Sequence, residues 1–179
     1  MFASLKHRLM MQYYRKIRKL SDVDINIMNM RRSGITVGEG CRIFTAITST
    51  EPWLISIGNQ VTISCNVHFV THDNGIIKVL QGKTDVVGPI TVGDRCFIGM
   101  NSTLMLGVTL GENCIVGAGS VVTRSFPPHT VLAGNPARAI CTTEEYAEKH
   151  RDRAIDFSCI PREQRQSFIM SNPELWVKR

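Results

Sequence analysis

The sequence lacks the segments that mark a membrane-spanning or exported protein. No apolar run approaches the roughly 20 residues that cross a bilayer, and the first twenty residues lack the uninterrupted apolar stretch of a signal peptide. We therefore expect a protein that neither spans a membrane nor is exported, and that resides in the cytoplasm. The chain has 179 residues, 43% of them hydrophobic, which is enough apolar material for one folded domain.

Net charge is also lacking outside one short region. Residues 1–34 carry eight Lys and Arg against two Asp, whereas the remaining residues hold thirteen basic and thirteen acidic groups. The formal charge of +6 therefore belongs to an N-terminal arm. A nucleic-acid-binding fold would spread Lys and Arg over a working face, so we expect no nucleic-acid partner.

The sequence also lacks closely spaced cysteines. The chain has six cysteines, and none of them forms a C-x-x-C pair. A zinc ribbon or a redox motif needs that spacing to wrap one ion or one disulfide. We interpret the cysteines as free thiols in a reducing compartment, and we expect no metal.

A repeat of six residues occupies the middle of the chain. An aliphatic residue recurs at every sixth position, and Gly follows four of these residues. The series is Val92, Ile98, Leu104, Leu110, Val116 and Val122, with the same step at Ile57, Ile63 and Phe69 and a fainter one at Val37 and Ile43. A period of six fits neither an α-helix nor long strands. It predicts short strands separated by turns, which coil around a common axis and stack into one continuous core.

A second, smaller residue precedes each aliphatic residue by two positions. These smaller residues are Ile90, Cys96, Ser102, Val108, Cys114 and Ser120. Because side chains alternate along a strand, we expect both sets to point inwards. Polar residues such as Asp94, Arg95, Glu112 and Asn113 are then expected at the corners between strands.

This pattern resembles the hexapeptide-repeat acetyltransferases. The segments Gly117-Ala118-Gly119-Ser120 and Gly134-Asn135-Pro136-Ala137 carry the resemblance most specifically, and it is strongest towards sugar and polysaccharide O-acetyltransferases and their galactoside, maltose and xenobiotic relatives. It implies a mainly β fold, a left-handed parallel β-helix of triangular section over residues 35–140. Residues 1–34 would form a basic helical cap, and residues 141–179 a C-terminal helix and tail. It also implies a homotrimer whose donor groove lies between subunits.

The repeat breaks once on a large scale, between Phe69 and Val92. An extruded loop is predicted at residues 73–89, and its apolar residues predict packing on a neighbouring subunit. His72 lies at the root of this loop, and imidazole exchanges protons near neutral pH. The resemblance implies that His72 is the catalytic base. Asp73 is expected to orient the imidazole or contact the acceptor, although an Asp in this position also forms turns.

The resemblance further implies acetyl-CoA as the donor. The backbone at Ala118 and Thr123 would contact the pantetheine arm. Arg124 and Arg138 would approach the phosphates, for which the planar guanidinium is well suited. The backbone N–H near Met100 would lie close to the thioester oxygen.

The sequence leaves several alternatives open. The first hypothesis is transfer of an acetyl group to a hydroxyl of a sugar or polysaccharide precursor. The others are N-acetylation of an amino sugar or drug, a scaffold without catalysis, and a zinc enzyme on a similar helix. The zinc hypothesis would use His68, but no third His lies in the next coils. Residues 1–20 predict an amphipathic helix, which would either cap the first coil or contact a membrane surface.

Overall fold

The six-residue repeat forms stacked parallel sheets in the computed structural model, which describes residues 12, 13, 16 and 20–177. The strands are β1 (Thr36–Val37), β2 (Arg42–Ile43), β3 (Ile55–Ile57), β4 (Thr62–Ile63), β5 (His68–Phe69), β6 (His72–Asp73), β7 (Val86–Val87), β8 (Ile90–Val92), β9 (Phe97–Ile98), β10 (Thr103–Leu104), β11 (Thr109–Leu110), β12 (Ile115–Val116), β13 (Val121–Val122), β14 (Thr130–Gly134) and β15 (Ala137–Thr142). The α-helices are α1 (Asp22–Ser33), α2 (Thr143–His150) and α3 (Arg165–Ser171). Short 3-10 helices span Pro52–Leu54, Asn74–Lys78, Arg151–Arg153, Phe157–Cys159, Arg162–Gln164 and Pro173–Leu175.

Three sheets make the sides of a triangular coil. Sheet A has the order β1-β3-β8-β11, sheet B the order β2-β4-β9-β12-β14-β15, and sheet C the order β5-β10-β13. From β3 to β13, apart from the pair β6 and β7, the chain visits A, B and C in turn, and these strands pair in parallel with the equivalent strands one coil away. The turns between them are corner AB (58–60, 93–95 and 111–113), corner BC (64–66, 99–101 and 117–119) and corner CA (70–72, 105–107 and 123–125).

The core lies inside this coil, as the repeat predicted. The six aliphatic residues from Val92 to Val122 are at most 1% exposed, and the smaller residues two positions earlier are buried too. Equivalent residues stack in register: Phe69 pairs with Leu104, and Leu104 with Val122. Burying one such side chain contributes roughly 1.5–3 kcal/mol. The repeated stack therefore accounts for a rigid scaffold.

Glycine is required at the corners because the coils approach closely there. A Cβ on Gly93 would lie 2.7 Å from the Glu112 nitrogen and the Gly111 carbonyl carbon. The residues that turn the chain after it adopt positive φ, for example Arg95 at 57° and Asn113 at 56°. The corners are consequently fixed in shape, and side chains that leave them have defined directions.

Helix α1 covers the open end of the first coil. Ile25 and Met30 are buried, and the guanidinium of Arg31 donates to the backbone oxygens of Val37 (3.0 Å) and Gly38 (2.8 Å). Ser21 opens the helix through a capping box with Asp24, and Gly34 ends it at φ 107°. The amphipathic helix predicted for residues 1–20 lies almost wholly outside the described residues. In the part of the chain that the structure describes, no helix is both long and apolar enough to cross a bilayer.

The opposite end is closed by β15, which runs antiparallel to β14. Thr142 then opens α2 through a capping box with Glu145. The α-helical structure ends at His150, and the 3-10 helix Arg151–Arg153 follows. The side chains of α2 lie over the outer face of sheet B.

The excursion between Phe69 and Val92 is partly ordered as a hairpin. Its two strands, β6 and β7, pair antiparallel, with His72 opposite Val87. Between them lies the 3-10 helix Asn74–Lys78. The apolar side chains of this loop stay exposed within one chain, and Val79 is 80% exposed.

Candidate active site

His72 stands at the root of the loop, where the chain leaves corner CA. Its ring is held from one side: Nδ1 lies 2.9 Å from Oε2 of Glu51 and 3.2 Å from Oγ1 of Thr50. With Nδ1 donating to the carboxylate, Nε2 carries the lone pair and faces away from Glu51. The His72 side chain is 37% exposed, so a ligand can reach it. This arrangement suits transfer of a proton at Nε2.

Glu51 is itself fixed by a hydroxyl network. Thr71 donates to its Oε2 at 2.8 Å, and Ser49 lies 2.7 Å from the Thr71 hydroxyl. Hydrogen bonds from Thr50 and Thr71, together with the His72 ring, hold the pKa of Glu51 below its ordinary value of 4.5. The carboxylate is therefore ionised at neutral pH and can stabilise a positive imidazolium.

The sequence analysis did not identify Glu51. It lies 21 positions before His72, in the irregular segment ahead of the 3-10 helix Pro52–Leu54. One turn of the coil brings it beside the root of the loop. The break in the repeat around Pro52 and Trp53 was the available signal, because an interruption of a regular coil often carries functional residues.

Asp73 has a local partner in the loop. Its Oδ1 accepts a hydrogen bond of 2.7 Å from the Gly75 backbone, which opens the 3-10 helix that follows. This is the turn-forming role that the sequence left open. The other carboxylate oxygen of this exposed side chain remains available to a ligand.

Corner BC contains backbone N–H groups without an acceptor. At the equivalent position of corner AB, the Asn59 amide donates to Oδ1 of Asp94 at 2.8 Å. The amides of Met100 and Ala118 have no hydrogen-bond partner among the described residues. Both residues are exposed, so these two N–H groups can bind an oxygen that arrives from outside the chain.

The remaining expected donor residues lie elsewhere on the scaffold. Thr123 and Arg124 follow β13 at corner CA, the same corner as His72 and two coils away, about 10 Å along the axis. The Arg124 guanidinium lies 5.3 Å from the centre of the Phe126 ring. Arg138, on β15, donates to the backbone oxygen of Ala137 at 3.1 Å. Both arginines are exposed.

One chain does not bring all these residues together. His72, Thr123 and Arg124 lie at corner CA, whereas Met100 and Ala118 lie at corner BC, at the other end of the short strands of sheet C. At about 3.3 Å per residue, the two corners are on the order of 20 Å apart. A site that uses both sets therefore needs the CA corner of one copy and the BC corner of another.

The described residues contain no group of three His, Cys, Asp or Glu side chains that could hold a metal ion. His68 is exposed on β5, four positions before His72. The three cysteines at inward positions of the repeat, Cys41, Cys96 and Cys114, are buried free thiols.

Comparison with known proteins places the chain among acetyltransferases. The family described as the hexapeptide repeat of succinyl-transferase matches residues 89–124. Protein CapG of Staphylococcus aureus is 41% identical over 141 residues, which cover 76% of this chain and 82% of CapG. Galactoside O-acetyltransferase of Escherichia coli (strain K12) is 33% identical over 109 residues, 60% of this chain and 54% of that protein. The chain thus spans little more than half of this second relative.

A solved structure gives the same result. The hexapeptide-repeat acetyltransferase VCA0836 of Vibrio cholerae matches with 30% identity and a TM-score of 0.55, over 61% of this chain and 62% of that chain. Another structure of VCA0836, 24% identical in its match, contains acetyl coenzyme A. Membership of this family implies that the β-helix is left-handed. From the repeat, the stacked sheets and these relatives, we conclude that the chain is an acyltransferase enzyme and belongs to the hexapeptide-repeat acetyltransferase family.

Proposed function

We propose that this enzyme transfers an acetyl group from acetyl-CoA to a hydroxyl of a sugar or polysaccharide precursor, with His72 as the general base. The observation that carries the proposal is the contact between Nδ1 of His72 and Glu51, at 2.9 Å. It leaves Nε2 as a proton acceptor at the root of a loop that can hold an acceptor molecule. The name of one relative, galactoside O-acetyltransferase, is consistent with this class of enzyme.

In the proposed reaction, His72 accepts a proton in the first step and returns it in the second. Nε2 of His72 takes the hydroxyl proton while the acceptor oxygen attacks the thioester carbonyl carbon. The carbonyl oxygen becomes negative and is stabilised by the amide of Met100. When the carbon–sulfur bond breaks, the imidazolium returns the proton to the leaving thiolate. Glu51 stabilises the imidazolium between these two steps.

The donor is proposed to lie along the corners, beside small residues. The backbone at Ala118 and Thr123 would contact the pantetheine arm, and Arg124 and Arg138 would bind phosphate groups. The complex of VCA0836 with acetyl coenzyme A supports this donor. Acetyl-CoA also agrees with the cytoplasmic location expected from the unpaired cysteines.

The complete site is proposed to form between subunits of a homotrimer. A cyclic assembly brings corner CA of each copy to corner BC of the next and leaves no site unfilled. The exposed loop residues Ile77, Val79 and Leu80 would pack on the neighbouring copy. Asp73 would then contact the acceptor, since its loop closes over the same cleft.

Replacement of His72 tests the proposal. We expect His72→Ala to lower turnover by about 10²–10⁴-fold, the usual contribution of a general base, with little change in acetyl-CoA affinity. Release of free thiol with a panel of glycan acceptors measures turnover, and mass spectrometry of the product identifies the O–acetyl linkage.

The matched control is His68→Ala, because His68 is exposed on β5, four positions before His72, and has no role in the proposed reaction. This variant should retain wild-type turnover. Equal turnover of His72→Ala and wild type, or acetyl transfer only to amines, would contradict the proposal.

A further inference from the structure

We propose that Lys149, at the end of α2, binds a phosphate group of the acyl donor in a groove on the outer face of sheet B. The inference rests on the proposed use of acetyl-CoA, and it adds a binding residue that neither the repeat nor the loop suggested. Lys149 lies nine residues beyond the β-helix predicted from the sequence, which ended at residue 140.

The groove has a volume of about 620 Å³. Its floor is formed by outward-facing residues of three neighbouring strands, Phe97, Ile115 and Val131, which stack in register. Ile140 and Tyr146 line it from β15 and α2. The groove therefore lies between sheet B and the segment that follows the last coil.

The position of Ile140 follows from an irregularity between β14 and β15. Val131 pairs with Cys141 and Leu132 with Ala139, so Ile140 has no partner in the register. Such a bulge redirects a side chain. Ile140 is 64% exposed and lines the groove, where an apolar ligand segment would cover it.

One edge of the groove is corner BC. Gly99, Met100, Gly117 and Ala118 line this edge. Small residues let an extended ligand approach the backbone, and the unpartnered amide of Ala118 can donate to a carbonyl oxygen of that ligand. The pantetheine arm of CoA has this chemistry, with amide groups separated by methylene groups.

The charge of the groove favours a ligand with an anionic end. No Asp or Glu lines it, whereas Lys149 and His150 do. Lys149 makes no ion pair within the described part of the chain. The rings of Tyr146 and His150, which also line the groove, pack with their centroids 4.7 Å apart. A neutral sugar would leave the ammonium group without a partner and the apolar walls without contact. A CoA molecule satisfies both, since its phosphates follow an arm of amide and methylene groups.

Lys149 would not duplicate Arg124. Arg124 lies at corner CA and Lys149 beside corner BC, so in the shared cleft they approach the donor from different subunits. CoA carries a pyrophosphate and a 3′-phosphate, which is enough negative charge for cations on both sides.

Isothermal titration calorimetry with the full chain tests the inference by measuring the Kd for CoA and the Kd for pantetheine. The Kd of the weaker ligand is obtained by competition with the stronger one. We expect Lys149→Gln to raise the Kd for CoA by about two- to fivefold, as for one exposed charge pair. The Kd for pantetheine, which has no phosphate, should not change. Dephospho-CoA, which lacks only the 3′-phosphate, identifies which phosphate Lys149 contacts. If Lys149 contacts the 3′-phosphate, Lys149→Gln should leave the Kd for dephospho-CoA unchanged.

Arg162→Gln is the matched control, because it removes an exposed cation that does not line the groove. An unchanged Kd for CoA in Lys149→Gln, or an equal loss for CoA and pantetheine, would overturn the inference and leave the proposed function standing. Failure of the wild-type protein to bind CoA at all would overturn both.

Discussion

At the scale of single residues, the candidate site contains a histidine that is held by a carboxylate 21 positions earlier in the chain. Glu51 accepts from Thr71 and contacts Nδ1 of His72, so it sets which ring nitrogen is available for chemistry. It does not reach the reacting atoms itself. We therefore treat Glu51 as a positioning residue for the proposed base.

The variant Glu51→Gln tests that role. We expect turnover to fall by at least about tenfold, because the amide neither fixes the tautomer nor stabilises the imidazolium. Affinity for CoA should stay at the wild-type value. The loss should appear mainly in kcat, with the KM for the acceptor nearly unchanged, because Glu51 acts through the His72 ring. Glu51→Asp should recover part of the turnover. An equal loss in Glu51→Asp would indicate a merely structural role.

Glu51 also makes stability depend on pH. Its pKa is held below 4.5, so the ionised carboxylate stabilises the fold above that pH, and the contribution is lost as pH falls through the lowered value. Wild type should accordingly melt at a higher temperature than Glu51→Gln at pH 7. The difference should shrink well below pH 4.5, which thermal unfolding at pH 7 and pH 3 would detect.

At the scale of elements, two helices with the same cap contribute differently to stability. Both α1 and α2 open with a capping box, formed by Ser21 with Asp24 and by Thr142 with Glu145. Helix α1 buries Ile25 and Met30 against the first coil, whereas α2 buries none of its residues. The first helix is therefore part of the folded core, and the second is a surface element.

Removal of the two caps should separate these roles. Ser21→Ala should lower the free energy of unfolding by about 1 kcal/mol, because α1 unfolds together with the coil that it covers. Thr142→Ala should leave global unfolding almost unchanged and increase hydrogen exchange within α2 alone. Chemical denaturation and amide exchange measure the two effects. Equal losses of global stability would show that α2 is as firmly packed as α1.

At the scale of the whole molecule, the active site is proposed to be divided between copies. Two inactive variants, His72→Ala and Ala118→Trp, should then complement each other when they are unfolded together and reassembled. The Trp side chain in the second variant obstructs corner BC. If neighbours combine at random in a closed ring, about a quarter of the sites receive both intact corners. Activity near that fraction of wild type would support the shared site. No recovery in correctly assembled mixtures would mean that each chain holds its own site.

The sequence predicted the scaffold better than the site, for a physical reason. A period of six residues determines which side chains face inwards, and the residues from Val92 to Val122 are buried accordingly. His72 could be singled out because it ends a regular stretch. Glu51 could not, because its segment has left the period and only the closed coil brings it to His72. Lys149 could not either, since the packing of α2 on sheet B follows no repeat.

Strand β15 has a consequence for the behaviour of the molecule in concentrated solution. If the sheet ended at β14, the unpaired N–H and C=O groups of this strand could pair with a strand of another chain. The antiparallel return of β15 occupies that edge, and exposed Arg138 lies along it. Helix α1 occupies the other end. The parallel stacking of sheet B thus ends at β14, because β15 already occupies the edge to which another strand would add.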